Sequence, residues 1–201
     1  RYLSGYRVLV HHAEKFLRRH NLDRAFTVLD AATGSADQPI NLAKLARKMG
    51  VPIQITAIDI NAKMLKMAKD EIKQYPEIHL VQCDVLALPF RDNEFDFGIN
   101  NLSLHHFSWD DAVAIIKAIY KSVSLGFLIN DLHRSRIAHM VIFLLTRIFT
   151  RNRLTRYDAP VSVMNAFTPS EFRQLAKQAE IENFEIFRHF PYRIAFLGQK
   201  K

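Results

Sequence analysis

The chain has 201 residues, is 49% hydrophobic and carries a formal net charge of +8. This length and composition allow one hydrophobic core and predict a single domain, 1–201. The one cysteine, Cys83, excludes an internal disulfide framework and fits a reducing compartment. No stretch reaches the length of a membrane span and no signal peptide opens the chain, so we expect a cytoplasmic protein with at most peripheral membrane contact.

The first elements in the chain are a helix and a buried strand. Residues 5–20 have apolar positions at helical spacing and predict an amphipathic helix. An apolar run then ends at Val28 and Leu29, as in a buried parallel strand, and Asp30 follows it. Small residues occupy the next positions, TVLDAATGSAD in full. A strand that passes through such a turn into a helix exposes backbone N–H groups, to which a polar ligand can bind.

Four more strands alternate with helices after this turn. The apolar runs predict strands at 54–60, 78–83, 95–101 and 125–130, and helices between them at about 37–50, 61–75 and 109–123. Asp37 and Asn61 are the predicted helix N-caps. This alternation is typical of a doubly wound α/β fold with a parallel sheet, in which ligands bind at the carboxyl ends of the strands.

Every predicted strand ends in an acid or an amide. These residues are Asp30, Asp59, Asp84, Asn100, Asn101 and Asp131. Each one alone is commonly a helix cap or a turn former. Because the carboxyl ends of parallel strands lie at one edge of the sheet, the set together predicts a ligand-binding site there.

Four segments of the chain, VLDAATGSAD, AIDIN, CDVLALPF and FDFGINNLSLHHF, resemble successive motifs of the class I S-adenosylmethionine-dependent methyltransferases. The segment FTPSEF, with a capping box at Thr168 and Glu171, and a hairpin at about 184–197 fit the end of that fold. The resemblance implies a three-layer α/β/α fold with a doubly wound, mostly parallel seven-stranded sheet and a C-terminal antiparallel hairpin. It divides the chain into an N-terminal helical region (1–25), a cofactor-binding core (27–131), a helical lid or insertion (132–167) and a closing helix with hairpin (168–201).

The resemblance also implies the cofactor, S-adenosyl-L-methionine, and its product, S-adenosyl-L-homocysteine. The implied cofactor-binding residues are Asp30, Ala32, Gly34, Asp59, Ile60, Asp84, Val85, Asn100 and Asn101. Among these, Asp59 should accept hydrogen bonds from the ribose hydroxyls and Asp84 should face the adenine amino group. The family usually has glycine where this chain has Ala32 and Ala36. We expect both alanines to avoid positive φ, which a Cβ atom makes costly.

The acceptor is predicted from the end of the fourth strand. Methyltransferases that act on planar nitrogen often carry N-P-P-Y there, whereas this chain has NNLS. The absence of this motif favours methyl transfer to an oxygen or carbon atom of a small, hydroxyl-bearing and partly apolar molecule. The motifs ATGSAD, NDLHRSR and FTPSEF are also similar to those of a bacterial subgroup with small-molecule acceptors.

A hydroxyl acceptor calls for a base, and the candidates are His105, His106 and His133, with Asp131 as an orienting carboxylate for His133. Each histidine could instead only cap or pack its turn. The adjacent histidine pairs lack the spacing of a metal site.

Three alternatives remain at this point. A Rossmann dehydrogenase would need G-x-G-x-x-G, and position 37 is aspartate. An RNA or protein methyltransferase would use the basic segment 133–157, which holds six arginines and no acid but few aromatic residues for base stacking, so nucleic acid ranks low. A non-catalytic, cofactor-binding regulatory protein is the third.

The basic segment 133–157 also contains the apolar run IAHMVIFLLTRIF, which fits a packing helix, a lid or a membrane surface. The sequence does not predict an oligomeric state.

Overall fold

A mixed seven-stranded sheet lies at the centre of the fold, in a computed structural model that describes residues 5–20, 22–150 and 152–200. The strands are β1 (Phe26–Ala31), β2 (Ile53–Asp59), β3 (Ile78–Gln82), β4 (Phe95–Asn101), β5 (Val123–Leu132), β6 (Phe184–His189) and β7 (Arg193–Gln199). Their order across the sheet is β3-β2-β1-β4-β5-β7-β6. Strands β1 to β5 are parallel, and β7 runs antiparallel to both β5 and β6. The predicted five parallel strands and the C-terminal hairpin are therefore confirmed.

Helices cover both faces of the sheet. They are α1 (Gly5–Arg19), α2 (Asp37–Met49), α3 (Ala62–Glu71), α4 (Trp109–Ser122), α5 (Arg136–Phe149), α6 (Arg153–Asn165) and α7 (Pro169–Gln178), with a short 3₁₀ helix at Leu104–His106. Helices α1 and α2 pack on one face in a core that includes Leu9, Phe16, Leu42 and Phe97. Helices α4 and α7 pack on the other face in a second core. Since strand side chains alternate between faces, β5 contributes Leu128 to the first core, and it contributes Phe127 and Ile129, on either side of Leu128, to the second core.

Two of the three predicted helix starts are confirmed. The Asn61 side chain accepts hydrogen bonds from the backbone N–H groups of Lys63 and Met64 and caps α3. Thr168 and Glu171 form the predicted capping box of α7. The predicted N-cap Asp37 is wrong, because α2 begins at Asp37 and the residue before it makes no side-chain cap. An aspartate in the first turn still stabilises the positive end of the helix dipole.

The segment between β5 and α7 forms a helical hairpin of α5 and α6. The apolar run IAHMVIFLLTRIF of the basic segment lies in α5, which ends at Phe149, and Arg151 lies outside the described residues. Helix α5 is apolar on nearly all sides, yet only Ala138 in it is fully buried. None of the helices in the described part of the chain has the length and apolar character needed to cross a bilayer. The role of 132–167 as a lid stays a prediction.

Candidate active site

The strand-end residues meet at the carboxyl edge of the sheet. Asp30 is the penultimate residue of β1, and the next residue lies opposite Asn100 of β4 in the parallel register. Asp59 ends β2, on the other side of β1. Asp131 lies near the end of β5, beside β4. The edge therefore carries acidic and amide side chains on four neighbouring strands, around the point where the strand order reverses between β1 and β4.

The loop between β1 and α2 has three residues in the left-handed region. The φ angles of Ala32, Gly34 and Ala36 are 60°, 60° and 63°. The expectation that the two alanines avoid positive φ is wrong. A Cβ atom in this conformation costs roughly 1–2 kcal/mol, and tertiary hydrogen bonds offset that cost. The backbone N–H of Thr33 donates to the carbonyl of Ile58 at 2.8 Å, which ties the loop to the end of β2.

Asp59 holds this loop and still has acceptor capacity. One carboxylate oxygen accepts a hydrogen bond from the Gly34 N–H at 2.8 Å, and the other accepts from the Asn61 N–H at 2.8 Å. An ionised carboxylate has about four lone-pair sites, so each oxygen can accept one more donor. Beside it, Ile60 is 62% exposed and offers an uncovered apolar surface. This pairing of a spare acceptor with an apolar side chain suits a sugar next to an aromatic ring.

Asp84 and Val85 follow β3 on the same side of the fold. The Asp84 carboxylate accepts a hydrogen bond from the Leu86 N–H at 2.9 Å, so this residue forms the turn that its residue type favours. Val85 is buried and belongs to the same apolar cluster as Ala31 and Leu104. The turn places Asp84 at the rim and Val85 beneath it, and a contact of either residue with an adenine ring stays a prediction.

Two buried acceptor atoms near the β1–β4 junction have no hydrogen-bond partner among the described residues. They are Oδ2 of Asp30 and Oδ1 of Asn100. The Asn100 amide is fixed in this orientation because its Nδ2 donates to the Ala31 carbonyl at 2.9 Å and to the Ser103 hydroxyl at 2.7 Å. Burial raises the pKa of Asp30 to about 7; the Thr33 side chain, a hydrogen-bond donor, lowers it in part, and the negative charge of Asp59 raises it further. Unpaired buried acceptors are costly and indicate a missing donor.

His105 and Asp131 form a buried pair. The His105 Nδ1 lies 2.6 Å from Oδ1 of Asp131, and the His105 backbone N–H donates to the other carboxylate oxygen at 3.1 Å. His105 is 5% exposed and Asp131 is 1% exposed. Because an ionised carboxylate only accepts, we assign the Nδ1 proton to His105, which leaves its Nε2 lone pair available. This arrangement orients an imidazole as a proton acceptor.

The other two candidate histidines have different surroundings. The His106 ring contacts the His105 ring at an interplanar angle of 44°, with ring centroids 4.1 Å apart, and burial together with the neighbouring His105 lowers the pKa of His106. His133 lies beside the β6–β7 turn, where its backbone N–H donates a hydrogen bond to the Tyr192 carbonyl at 2.9 Å. Burial, and after it the charge of Arg188, lower the pKa of the His133 side chain. Asp131 thus pairs with His105. The sequence spacing had suggested His133 as its partner instead. No three His, Cys, Asp or Glu side chains of the described residues are grouped so that they could hold a metal ion.

Comparisons with known proteins identify the family. Residues 28–126 match the model of the methyltransferase domain. The chain is 31% identical over 170 residues to the ubiquinone/menaquinone biosynthesis C-methyltransferase UbiE of Rickettsia bellii (strain OSU 85-389), covering 77% of this chain and 68% of that protein. The chain belongs to the S-adenosylmethionine-dependent methyltransferases. A 2-phytyl-1,4-naphtoquinone methyltransferase of Trichormus variabilis is 34% identical over 109 residues, covering 50% of this chain and 46% of that protein.

Solved structures agree with this assignment at the level of the fold. Magnesium protoporphyrin IX methyltransferase (ChlM) from Synechocystis PCC 6803, solved with bound S-adenosylhomocysteine, superposes with a TM-score of 0.68 at 16% identity. The superposition covers 98% of this chain and 84% of that one. The methyltransferase described here is therefore an S-adenosylmethionine-dependent enzyme with the seven-stranded fold of its class.

The residues at the sheet edge fit this cofactor. Its methionine part carries an ammonium group, which has three hydrogen-bond donors and no acceptor. The unpaired oxygens of Asp30 and Asn100 supply one acceptor on each face of the sheet at this edge. Its ribose carries hydroxyl donors, which match the spare lone pairs of Asp59. Sequence reasoning missed two further polar residues near this edge: Ser103, which fixes the Asn100 amide, and Arg193, which is buried at the start of β7. No pattern in the sequence marks either side chain as buried.

Proposed function

We propose that this methyltransferase transfers a methyl group to an oxygen or carbon atom of a small, hydroxyl-bearing and partly apolar acceptor. The observation that carries the proposal is the buried His105–Asp131 pair at the carboxyl edge of β5. A buried, oriented imidazole has a use when the acceptor must lose a proton, as a hydroxyl does. The names of two relatives, both quinone-biosynthesis or naphthoquinone methyltransferases, support a small-molecule acceptor.

The proposed cofactor contacts follow the polar groups along the edge. Asp59 binds the ribose hydroxyls and Ile60 covers the sugar side of the adenine ring. Asp84 and Val85 contact the ring itself. The backbone of Ala32 and Gly34 passes close to the methionine part, and Asp30 and Asn100 accept hydrogen bonds from its ammonium group. Asn101, whose side-chain oxygen already accepts from the Asn130 amide at 2.6 Å, positions the end of β4 beside them.

The chain's own residues then supply proton transfer and positioning. S-adenosylmethionine would supply a methyl group bound to a positively charged sulfur, and the neutral thioether of S-adenosylhomocysteine is a good leaving group. His105 accepts the acceptor's hydroxyl proton at Nε2, while Asp131 holds Nδ1–H and stabilises the imidazolium that forms. The apolar residues around the site exclude water and orient the acceptor, and such orientation supplies a large part of the rate in a displacement reaction. His106 and His133 remain the alternative bases.

Replacement of Asp59 by alanine tests the cofactor site. We expect the affinity for S-adenosylhomocysteine to fall by about 10- to 150-fold, since hydrogen bonds to a charged group contribute roughly 1.5–3 kcal/mol. Isothermal titration calorimetry measures this change, and the wild-type protein should bind S-adenosylhomocysteine in preference to NAD. Glu71→Ala, an exposed acid at the end of α3, is the matched control. Unchanged affinity in folded Asp59→Ala protein would remove the ribose assignment.

We also propose that the outer face of α5 contacts an anionic membrane surface. Four large apolar residues at helical spacing are uncovered there: Ile137 (64% exposed), Met140 (62%), Leu144 (55%) and Ile148 (70%). Exposed arginines flank them, at Arg136 and Arg147 in α5 and at Arg153 and Arg156 in α6. An apolar helix face bordered by cations is the pattern of an interfacial helix, and its charge selects anionic lipids.

Sedimentation with lipid vesicles tests this surface. The protein should bind vesicles that contain phosphatidylglycerol and should bind pure phosphatidylcholine vesicles much less. Each basic residue near such a surface contributes about 1 kcal/mol. The double variant Arg136→Gln/Arg153→Gln should therefore weaken binding by roughly 30-fold. Arg173→Gln, an exposed residue of α7 away from this surface, should leave binding unchanged. Equal sedimentation of the double variant and the wild type would show that the cations have no such role.

A further inference from the structure

A large cavity lies between the helical hairpin and the sheet. Its volume is about 1100 Å³. Helix α1 and the inner face of α5 form two walls, the end of β5 and the β6–β7 turn form another, and Val163 of α6 closes the remaining side. On α5 the lining residues follow the helical spacing, at Ala138, Val141, Ile142 and Leu145. The cavity slightly exceeds the 300–1,000 Å³ that is common for pockets of drug-sized ligands.

The lining of this cavity is mainly apolar, and its charged groups are cationic. Arg7 and Arg193 line it, together with His11 and His189, and no acidic residue of the described chain does so. Burial lowers the pKa of His189, so that ring is neutral at pH 7. Phe190, which is 92% exposed, also lines the cavity and extends its apolar surface to the solvent. The two arginines therefore set the sign of the charge that a ligand here would need.

Arg193 is a buried cation with no acid at salt-bridge distance among the described residues; burial lowers its pKa, and the charge of the more distant Asp131 offsets part of that shift. Arg193 is 8% exposed, its Nη1 is buried with no hydrogen-bond partner, and none of the described acids lies within salt-bridge distance of it. It lies opposite Leu132 in the antiparallel pair of β5 and β7, so both side chains point to the α1 side of the sheet. Asp131, one residue earlier in β5, points to the other side and pairs with His105. An unpaired buried charge is expensive, and an anion in the cavity would satisfy it.

We propose that the cavity binds the acceptor as an amphipathic anion, with its apolar body along α5 and a carboxylate paired with Arg193. This inference rests on the proposed function only for naming the bound molecule as the acceptor. The guanidinium is the one buried polar group of the lining that lacks a partner, so it fixes which end of the ligand points inward. Anchoring at Arg193 places that end at the carboxyl edge of β5, beside Leu132 and on the face of the sheet opposite to Asp131. A neutral acceptor of the same length would lose the ion pair.

Calorimetry with decanoate as probe tests the cavity, in the presence of saturating S-adenosylhomocysteine. Decanoate should bind at a single site and at least 10-fold more tightly than decanol, which has the same chain and no charge. Arg193→Met should weaken decanoate binding by about 10- to 100-fold, as expected for a hydrogen bond between charged groups, and should leave decanol binding unchanged. Because the substitution removes an unpaired buried charge, the Tm of the ligand-free protein should rise by about 2–4 °C.

Two further variants complete the test. Arg193→Lys keeps the charge and should retain most of the decanoate affinity, whereas Arg173→Gln on α7 should behave as wild type. Equal loss in the Lys and Met variants would overturn the ion pair. Failure of decanoate to bind while S-adenosylhomocysteine binds normally would overturn this inference alone. Failure of S-adenosylhomocysteine to bind the wild type would instead contradict the proposed function.

Discussion

His105→Ala should lower methyl transfer to a phenolic acceptor by about 10²- to 10⁴-fold and leave the affinity for S-adenosylhomocysteine intact. A phenol has a pKa of about 10, so at neutral pH it must lose its proton to a base before or during transfer. His105 is oriented for that task by the 2.6 Å contact between its Nδ1 and Asp131. Turnover of a panel of phenols, measured at saturating cofactor, gives the loss directly. The loss should shrink for phenols of lower pKa, which arrive already ionised.

Neighbouring residues provide the controls for this prediction. Asp131→Asn should lower turnover by a smaller factor than His105→Ala does, because the His105 imidazole remains but its tautomer and orientation are no longer fixed. His106→Ala removes the tilted ring whose centroid lies 4.1 Å from that of His105, and it should lower turnover less than His105→Ala does. A greater loss in His106→Ala or His133→Ala would transfer the role of base to that residue. Full activity in all three alanine variants would mean that positioning alone suffices.

Asp30 should make the stability of the ligand-free protein fall as the pH rises from 5 to 8. Burial raises its pKa to about 7 in the folded chain, from a usual value of 3.8. Between these two values the folded state binds one more proton than the unfolded state, so the free energy of unfolding decreases with pH. The contribution amounts to roughly 3 kcal/mol between pH 5 and pH 8. Asp30→Asn removes it, and urea denaturation of both proteins across this range measures the difference.

A histidine in helix α1 opposes this trend, so the comparison of variant with wild type is needed. Burial, followed by the charges of His189, His11 and Lys15, lowers the pKa of His12 to about 4 from 6.5. The folded state then binds fewer protons than the unfolded state between pH 4 and 6.5, and this contribution rises with pH. Both proteins share it, so it cancels in their difference. Parallel stability curves for wild type and Asp30→Asn would contradict the raised pKa.

Cofactor binding provides a second readout for Asp30. If the ammonium group of the methionine part lies beside the Asp30 carboxylate, it favours the ionised form, and binding near pH 6 should release up to one proton. Binding enthalpies in two buffers of different ionisation enthalpy measure that proton. Asp96→Asn serves as the matched control at the amino end of the sheet. Although burial raises the pKa of Asp96, hydrogen bonds from Arg24 and Thr27 lower it overall, so the wild-type group stays ionised throughout this range.

The sequence predicted the order and type of the central elements because each signal was local. Apolar runs of five to seven residues, each followed by an acid or amide, located the five parallel strands. Asn61 and the Thr168–Glu171 pair located helix starts through hydrogen bonds that span only two or three residues. The motif at 27–37 placed the loop between β1 and α2 for the same reason. The wrong N-cap at Asp37 arose at the one start where the chain enters the helix from a left-handed residue, Ala36.

Tertiary contacts decided what lay beyond such short spans. Ala32 and Ala36 adopt positive φ because hydrogen bonds from the loop to β2, some 25 residues away, offset the local cost of their Cβ atoms. Asp131 pairs with His105 across 26 residues, since β4 and β5 are neighbours in the sheet, whereas sequence spacing favoured His133. By itself, then, the sequence determined the motif, the fold class and the strand ends that form the carboxyl edge of the sheet. Which histidine is oriented, which arginine is buried without a partner, and which face of α5 lines a cavity depend on distances between distant segments, and only the folded chain sets those distances.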